Sequence, residues 1–475
     1  MPEKFYITTT LAYVNADPHI GFALESVQAD SVARFHRQCG QDVIFNTGTD
    51  EHGAKIYQKS QEMGMNMQEY CDWKAESFLK LKEMLNLDVD HFIRTTDKYH
   101  KLAAQEFWKI CLANGDIYKK NYKIKYCVGC ELEKTESDLV GGKCPLHPNM
   151  EIETIEEENY FFRFSKYQEK LLELYKNNPE FVIPEKRLNE VRSFVEGGLQ
   201  DFSISRLKSK MPWGVEVPGD ETQVMYVWFD ALINYISTLG WPNEGSDFVD
   251  FWPGVQICGK DNLRQQAAMW QAMLFSAGIA NSKQIFINGF VNVGGQKMSK
   301  SLGNVVSPAE IVEKFGVDAA RYLLLALGDN FGEDMDFTWA RMIEKYNADL
   351  ANGLGNLVSR VVKLSEKSGK FVSQEFFQKD EISGMVDRME LSKALKYIWG
   401  LVSESNKIID ESKPWELVKN DKMKFEEVMN DLTARLQKIA ENLMPFMPET
   451  AEKIMVSLET KKTDILFGRI AVNLK

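Results

Sequence analysis

Cysteine is scarce. Seven residues are scattered over a chain of 475, too few and too widely spaced for a disulfide framework, so a reducing compartment, the cytoplasm, is expected. No apolar run approaches the about 20 residues that cross a bilayer. The opening Met1-Pro2-Glu3-Lys4-Phe5 lacks the build of a secretory leader. Internal repeats and low-complexity tracts are missing too, which excludes solenoids and disordered linkers. Positive charge is in deficit, 57 Lys and Arg against 69 Asp and Glu, a net −12, which argues against a surface coated in basic residues for nucleic acid. The deficit is uneven. Residues 346–475 carry 20 basic and 20 acidic side chains, so the acidic excess lies in the first 345 and the last part can present local basic patches.

What is present, 44% hydrophobic and 27% charged residues, suits a globular enzyme of roughly two to four domains. Residues 1–115 alternate strand and helix: an apolar strand at Phe5–Ile7, a turn at Pro18 and Gly21, then a helix to about Arg37. Strands at Asp42–Thr47 and His91–Thr95 and helices at Glu69–Leu87 and up to about Asn114 follow. The rhythm breaks over 116–220, which holds a cysteine-rich segment at about 122–150. It resumes over 221–290 with strands Gln223–Phe229, Val255–Cys258 and Gln284–Asn288 and a helix over Asn262–Ala277. Residues 291–345 carry a glycine-flanked lysine loop. Beyond them, 346–475 show helical periodicity alone, including Lys393–Asp410 and Phe425–Asn442, with breaks at Pro445 and Pro448. The expected fold is α/β: a split, Rossmann-type, doubly wound parallel sheet with an inserted zinc-knuckle domain, followed by an all-α bundle.

Several clusters can carry chemistry. His19 and Gly21 sit where the first strand turns into its helix, a position that presents backbone N–H groups and a helix N-terminus to an anion. Lys297-Met298-Ser299-Lys300-Ser301 places two lysines three apart in a loop between Gly294-Gly295 and Gly303, suited to a triphosphate. Cys127 and Cys130, then Cys144 and His147, form two knuckles whose spacing completes a closed, structural, tetrahedral Zn²⁺ site. Cys39, Cys71, Cys111 and Cys258 read as packing residues. Asp50 lies beyond the second strand and either binds an ammonium group or caps the next helix. Gly259 and Asp261 fall at the same sheet edge, where a carboxylate suits ribose hydroxyls. Trp228, Ala231, Leu232 and Tyr235 form either core or the wall of a pocket. Asn352, Asn356 and Arg360 recur every four residues on a helix, and Trp415 offers a flat surface: together a solvated face and a core residue, or forks and a platform for unstacked bases.

The pairing of Pro18-His19-Ile20-Gly21 with K-M-S-K-S at 297–301 resembles the signature pair of the class I aminoacyl-tRNA synthetases. The strings A-Y-V-N-A-D-P-H-I-G, T-G-T-D-E-H-G, Y-V-W-F-D-A and G-K-D-N, the cysteine knuckle, N-L-V-S-R at Asn356–Arg360 and K-P-W at Lys413–Trp415 narrow this. Across nearly the whole chain they resemble the methionyl-tRNA synthetases. The resemblance implies activation of L-methionine by ATP, with Mg²⁺ on the phosphates, and transfer to tRNA(Met), initiator tRNA included. By the same resemblance His19, Lys297 and Lys300 attend the phosphates, while Gly21, Gly259 and Asp261 hold the nucleoside. Asp50 pairs with the methionine ammonium, and Leu11, Tyr13, Trp228, Ala231, Leu232 and Tyr235 enclose its side chain. Asn356, Arg360 and Trp415 read the anticodon, and Arg206 matches an arginine near the active site.

The chain departs from the pattern at Phe22, where a second signature histidine is usual, and at Asn262 and Gln266, where an apolar residue and a histidine are common. The alternatives are a class I enzyme for leucine, isoleucine, valine or cysteine, and a tRNA-binding relative that has lost adenylation. A monomer without membrane attachment is expected.

Overall fold

The structure is a computed structural model; it describes residues 2–130, 132–134, 138–298, 306–328, 331–369 and 382–471. Lys4–Thr9 is buried along its last four residues and forms a strand in the middle of a seven-stranded sheet. It pairs in parallel with Asp42–Asp50 on one side, Ile7 opposite Phe45, and with Val255–Gly259 on the other, Ile7 opposite Val255. Ala12–Tyr13 and His91–Arg94 join Asp42–Asp50, and Gln284–Asn288 joins Val255–Gly259, all in parallel. The chain leaves the central strand to one side and returns much later on the other. That reversal opens a crevice at the carboxyl ends of the strands.

Two features were not expected. Val182–Ile183, from the middle of the region between the two halves, pairs with Gln284–Asn288 and supplies an edge of the parallel sheet. The expected strand Gln223–Phe229 is also corrected. Asp220–Met225 is a strand, but of a separate antiparallel sheet with Ser205–Leu207 and Glu216–Val217, and Val227–Ala231 is helical. A short run that is apolar after its first residue carries no period to tell the two apart. The inserted region is otherwise a four-stranded antiparallel sheet whose long pair, Ile117–Cys127 with Glu153–Phe162, leads towards the cysteine knuckle.

The C-terminal part is helical. Trp339–Lys345, a π-wound stretch Tyr346–Gly355 and Asn356–Ser365 follow one another without a break, and Leu391–Ser412, Lys422–Leu443 and Pro448–Thr460 pack around them. Its apolar interior is continuous with that of the sheet: one cluster runs from Ile7, Leu24 and Phe35 through Leu324 and Leu354 to Leu436 and Leu458. A second, with Trp108, Phe229 and Trp270, fills the opposite face of the sheet. Arg321 ties the parts together. Fully buried, it pairs with Asp30 at 2.6 Å and donates to the carbonyls of Leu85, Pro445 and Phe446. Among the described residues no helix is long and apolar enough to cross a membrane.

Candidate functional site

A cavity of about 680 Å³ opens at the carboxyl edge of the sheet, at the reversal point. His19, Gly21, Gly259 and Asp261 line it, and so do Leu11, Tyr13, Asp50, Trp228, Ala231, Leu232 and Tyr235. Met298 lines the same cavity, so the lysine loop begins at its wall. The backbone of Lys297 pairs with Asn292 in a hairpin; Lys300 lies outside the described residues.

His19 caps the helix Ile20–Gln38, its Nδ1 accepting from the Gly21 N–H at 3.1 Å. In the neutral ring Nε2 then carries the proton and is a donor. Burial favours that neutral form by lowering the pKa, against an upward pull from Asp261, while one edge of the ring stays open to the cavity. A Cβ on Gly21 would lie 2.9 Å from His19 Cε1, so the glycine lets the ring fold back over its own helix. Gly259 does the same for Asp261, whose carboxylate oxygen would meet a Cβ at 2.6 Å.

Asp50 ends its strand buried, and its Oδ1 accepts from the His52 N–H at 3.4 Å. The following helix, Ala54–Met63, has Gly53 as its N-cap and no side-chain cap. Asp50 therefore belongs to the cavity wall and not to a cap. Below the pocket Gln266 Nε2 donates to the Tyr235 hydroxyl at 2.5 Å, and Gln266 Oε1 accepts from Gln256. With the phenol oxygen accepting, its own proton is left to donate, which suits a soft acceptor such as sulfur. Gln266 sits in a π-wound stretch, Gln265–Met269, a form frequent at functional sites. Asn262 also lines the cavity. Phe22 lines it as an apolar surface, edge-on to Phe78 with ring centroids 5.4 Å apart.

Cys127, Cys130, Cys144 and His147 converge, with all ligand atoms within 4.8 Å of one another. Cys130 Sγ lies 3.4 Å from Cys144 Sγ and 3.2 Å from His147 Nδ1, and His147 Nδ1 is 3.9 Å and 4.0 Å from the other two sulfurs. Donors about 2.3 Å from a shared tetrahedral ion stand about 3.8 Å apart, so the set fits a metal. A Cβ on Gly129 would lie 2.3 Å from the His147 ring, which explains glycine inside the first knuckle. Cys130, His147 and Gly129 also line the large cavity, and Lys55 donates to the Gly129 carbonyl. The knuckle is thus a wall of the pocket as well as a staple.

In the helical part Arg360 pairs with Asp410 at 2.5 Å, and its guanidinium lies 6.0 Å from the ring of Trp415, which is 43% exposed. Asn356 is one turn away and exposed. Arg206 is elsewhere: it is buried, donates to Ser203 and Ser205, stacks 4.4 Å over Tyr226 and does not line the cavity.

Two features escaped the sequence. Glu25, one helical turn after Gly21, lines the cavity and accepts from the Thr10 N–H at 2.6 Å. Burial pushes its carboxyl up to about 8, against the Thr10 hydrogen bonds. The spacing from Gly21 was the available signal. Asp230, fully buried, accepts from His52 at 2.6 Å and His100 at 2.9 Å, and His100 also meets the Ser237 hydroxyl. Burial alone would raise the Asp230 carboxyl; the two imidazoles outweigh it and hold it at about 2. This triad ties the segment of Asp50 to the helix of Trp228 and Ala231. Its members lie far apart in sequence, so no local pattern announces it.

The family model described as "tRNA synthetases class I (M)" matches residues 5–152 and 137–362. The methionine–tRNA ligase of Caldanaerobacter subterraneus subsp. tengcongensis is 42% identical, over 96% of this chain and 74% of that protein. That of Brucella suis is 41% identical, over 95% and 91%. The structure of Mycobacterium tuberculosis methionyl-tRNA synthetase in complex with methionyl-adenylate superposes with a TM-score of 0.89 at 36% identity, covering 100% of this chain and 99% of that one. A sheet split at its reversal point, a histidine-capped helix at the wall of its cavity, and likeness along nearly the full length place this chain in the methionine–tRNA ligase family of class I synthetases.

Proposed function

We propose that the cavity activates L-methionine with ATP and passes it to the terminal ribose of tRNA(Met). The observation that carries this reading is that every residue expected to hold nucleoside or methionine lines the one 680 Å³ cavity. A methionine carboxylate oxygen attacks the α-phosphorus of ATP, and the bond to the bridging oxygen breaks with release of pyrophosphate. A ribose hydroxyl of the tRNA then attacks the carbonyl carbon, loses its proton and expels AMP. Neither step needs a covalent enzyme intermediate, so the protein's work is placement and neutralisation of charge.

His19, through its Nε2–H, and Lys297 and Lys300 attend the phosphates, and Mg²⁺ enters with them. Gly21, Gly259 and Asp261 seat the nucleoside, and Asp50 takes the ammonium group. Leu11, Tyr13, Trp228, Ala231, Leu232 and Tyr235 surround the thioether. Zn²⁺ held by Cys127, Cys130, Cys144 and His147 would fix the knuckle against the pocket rim and supply no chemistry to the reaction. Asn356, Arg360 and Trp415 meet the anticodon. The test is pyrophosphate exchange with each of the twenty amino acids. Exchange with methionine alone is expected; exchange led by leucine, isoleucine, valine or cysteine, or none at all while tRNA still binds, would overturn the assignment.

A further inference from the structure

A second groove, of about 310 Å³, lies beside the rod that carries Asn352 and Asn356. Its size falls at the lower end of the about 300–1,000 Å³ typical of small-ligand pockets. One wall is the helix, with Asn352, Asn356 and Ser359. The other is the segment after the last helix, which folds back and contributes Phe467 and Arg469. That segment is pinned. Asn347 donates to the Ile470 carbonyl at 2.8 Å and accepts from its N–H at 2.9 Å, and Phe467 meets Tyr346 edge-on at 6.1 Å. Arg469 Nε donates to Asn352 Oδ1 at 2.8 Å, which fixes both side chains: the amide nitrogen of Asn352 points away from the arginine.

Among the described residues, the terminal nitrogens of Arg469, the amide nitrogen of Asn352, the Asn356 amide and the Ser359 hydroxyl make no hydrogen bond. Unpaired, pre-oriented donors beside an aromatic flank suit a flat ring whose edge displays acceptors. Asn356 belongs both to this groove and to the row with Arg360, which leads on to Trp415. We propose that Arg469, oriented by Asn352, forms a second base-reading fork that takes one unstacked base of the tRNA anticodon loop, beside the one at Trp415. The proposal rests on reading Asn356, Arg360 and Trp415 as anticodon contacts.

The experiment measures aminoacylation kcat/KM for tRNA(Met) and for transcripts changed at single anticodon positions. Arg469→Ala should lower kcat/KM for the parent tRNA by about five- to hundredfold, the size of a fork-to-base contact. The penalty for changing one anticodon base should shrink by the same factor. Asn352→Leu, which leaves the Asn347 anchor in place, should blunt selectivity at that same base, with melting curves showing both variants folded. An equal loss on every transcript, or full rescue by Arg469→Lys, would mean plain attraction to phosphate and overturn the fork. Unchanged kinetics in Arg469→Ala with Trp415→Ala impaired would overturn the groove alone. Unchanged kinetics in both would overturn the anticodon reading as well.

Discussion

Glu25 shows what one buried carboxyl does to the molecule. Between the unfolded value of 4.5 and the folded value of about 8, the native state keeps a proton that the unfolded chain has lost. Stability therefore declines as pH rises through that window and stays at its lower level above it. Glu25→Gln keeps the shape without the ionisation, so its melting temperature should exceed the parent's by a margin that grows from pH 5 to pH 9. The growth should be about 1 °C for each kcal/mol relieved in a chain of this length, and calorimetry at the two pH values checks it. Gly129 makes the opposite case, a residue whose value is its missing side chain. Gly129→Ala would drive a methyl into the His147 ring, so metal analysis of the purified variant should find well under one ion per chain, with a matching fall in methionine-dependent exchange. At this scale the sequence was most legible. The residues quoted for nucleoside and methionine all reach one cavity, because short motifs at strand ends inherit their placement from the sheet. Glu25 was not legible because an acid on a helix normally reads as solvated surface.

At the scale of elements, the turn at Lys413 is the clearest device. Helix Leu391–Ser412 ends with Lys413 at φ +47°, and Pro414 begins the next helix at once. The left-handed residue reverses the chain so that Trp415 stands out beside Arg360. An L-residue in that region costs about 1–2 kcal/mol. Lys413→Gly should therefore raise stability by about 0.5–1 kcal/mol, and Lys413→Val should lower it by at least about 1 kcal/mol. Denaturant midpoints of the two variants measure both. Five of the seven strands of the parallel sheet and several of the long helices could be read from periodicity and stop signals; Gln284–Asn288 was placed to the residue. The failures have physical causes. The stretch Val224–Phe229 is apolar or aromatic at every position, and Val182–Ile183 is two residues long, so neither offers a period to read.

Across the whole molecule, the feature with most consequence for stability is the Arg321–Asp30 clamp. It joins the first half of the sheet to the loop before the last helix, and it is fully buried. Removing Asp30 leaves the Arg321 guanidinium without a counter-ion in the interior, which typically costs about 3–5 kcal/mol, whereas removing Arg321 leaves Asp30 still paired with Arg34 at 2.8 Å. Asp30→Leu should show a loss of that order in denaturant titration, and Arg321→Met added to it should recover part. Charge counts gave no hint of this clamp, since a pair formed by residues nearly three hundred positions apart leaves no local signature. The split sheet and the helical bundle, in contrast, were visible from the change of rhythm along the chain.

The short strand Val182–Ile183 has one more implication. It covers the backbone of Gln284–Asn288, which would otherwise be the rim of the sheet. A trimmed chain without the intervening region would carry a bare apolar border, the template on which polypeptides stack into fibres. The excursion between the two halves is thus also a guard against self-adhesion, and a minimal version of this catalyst would have to replace that guard.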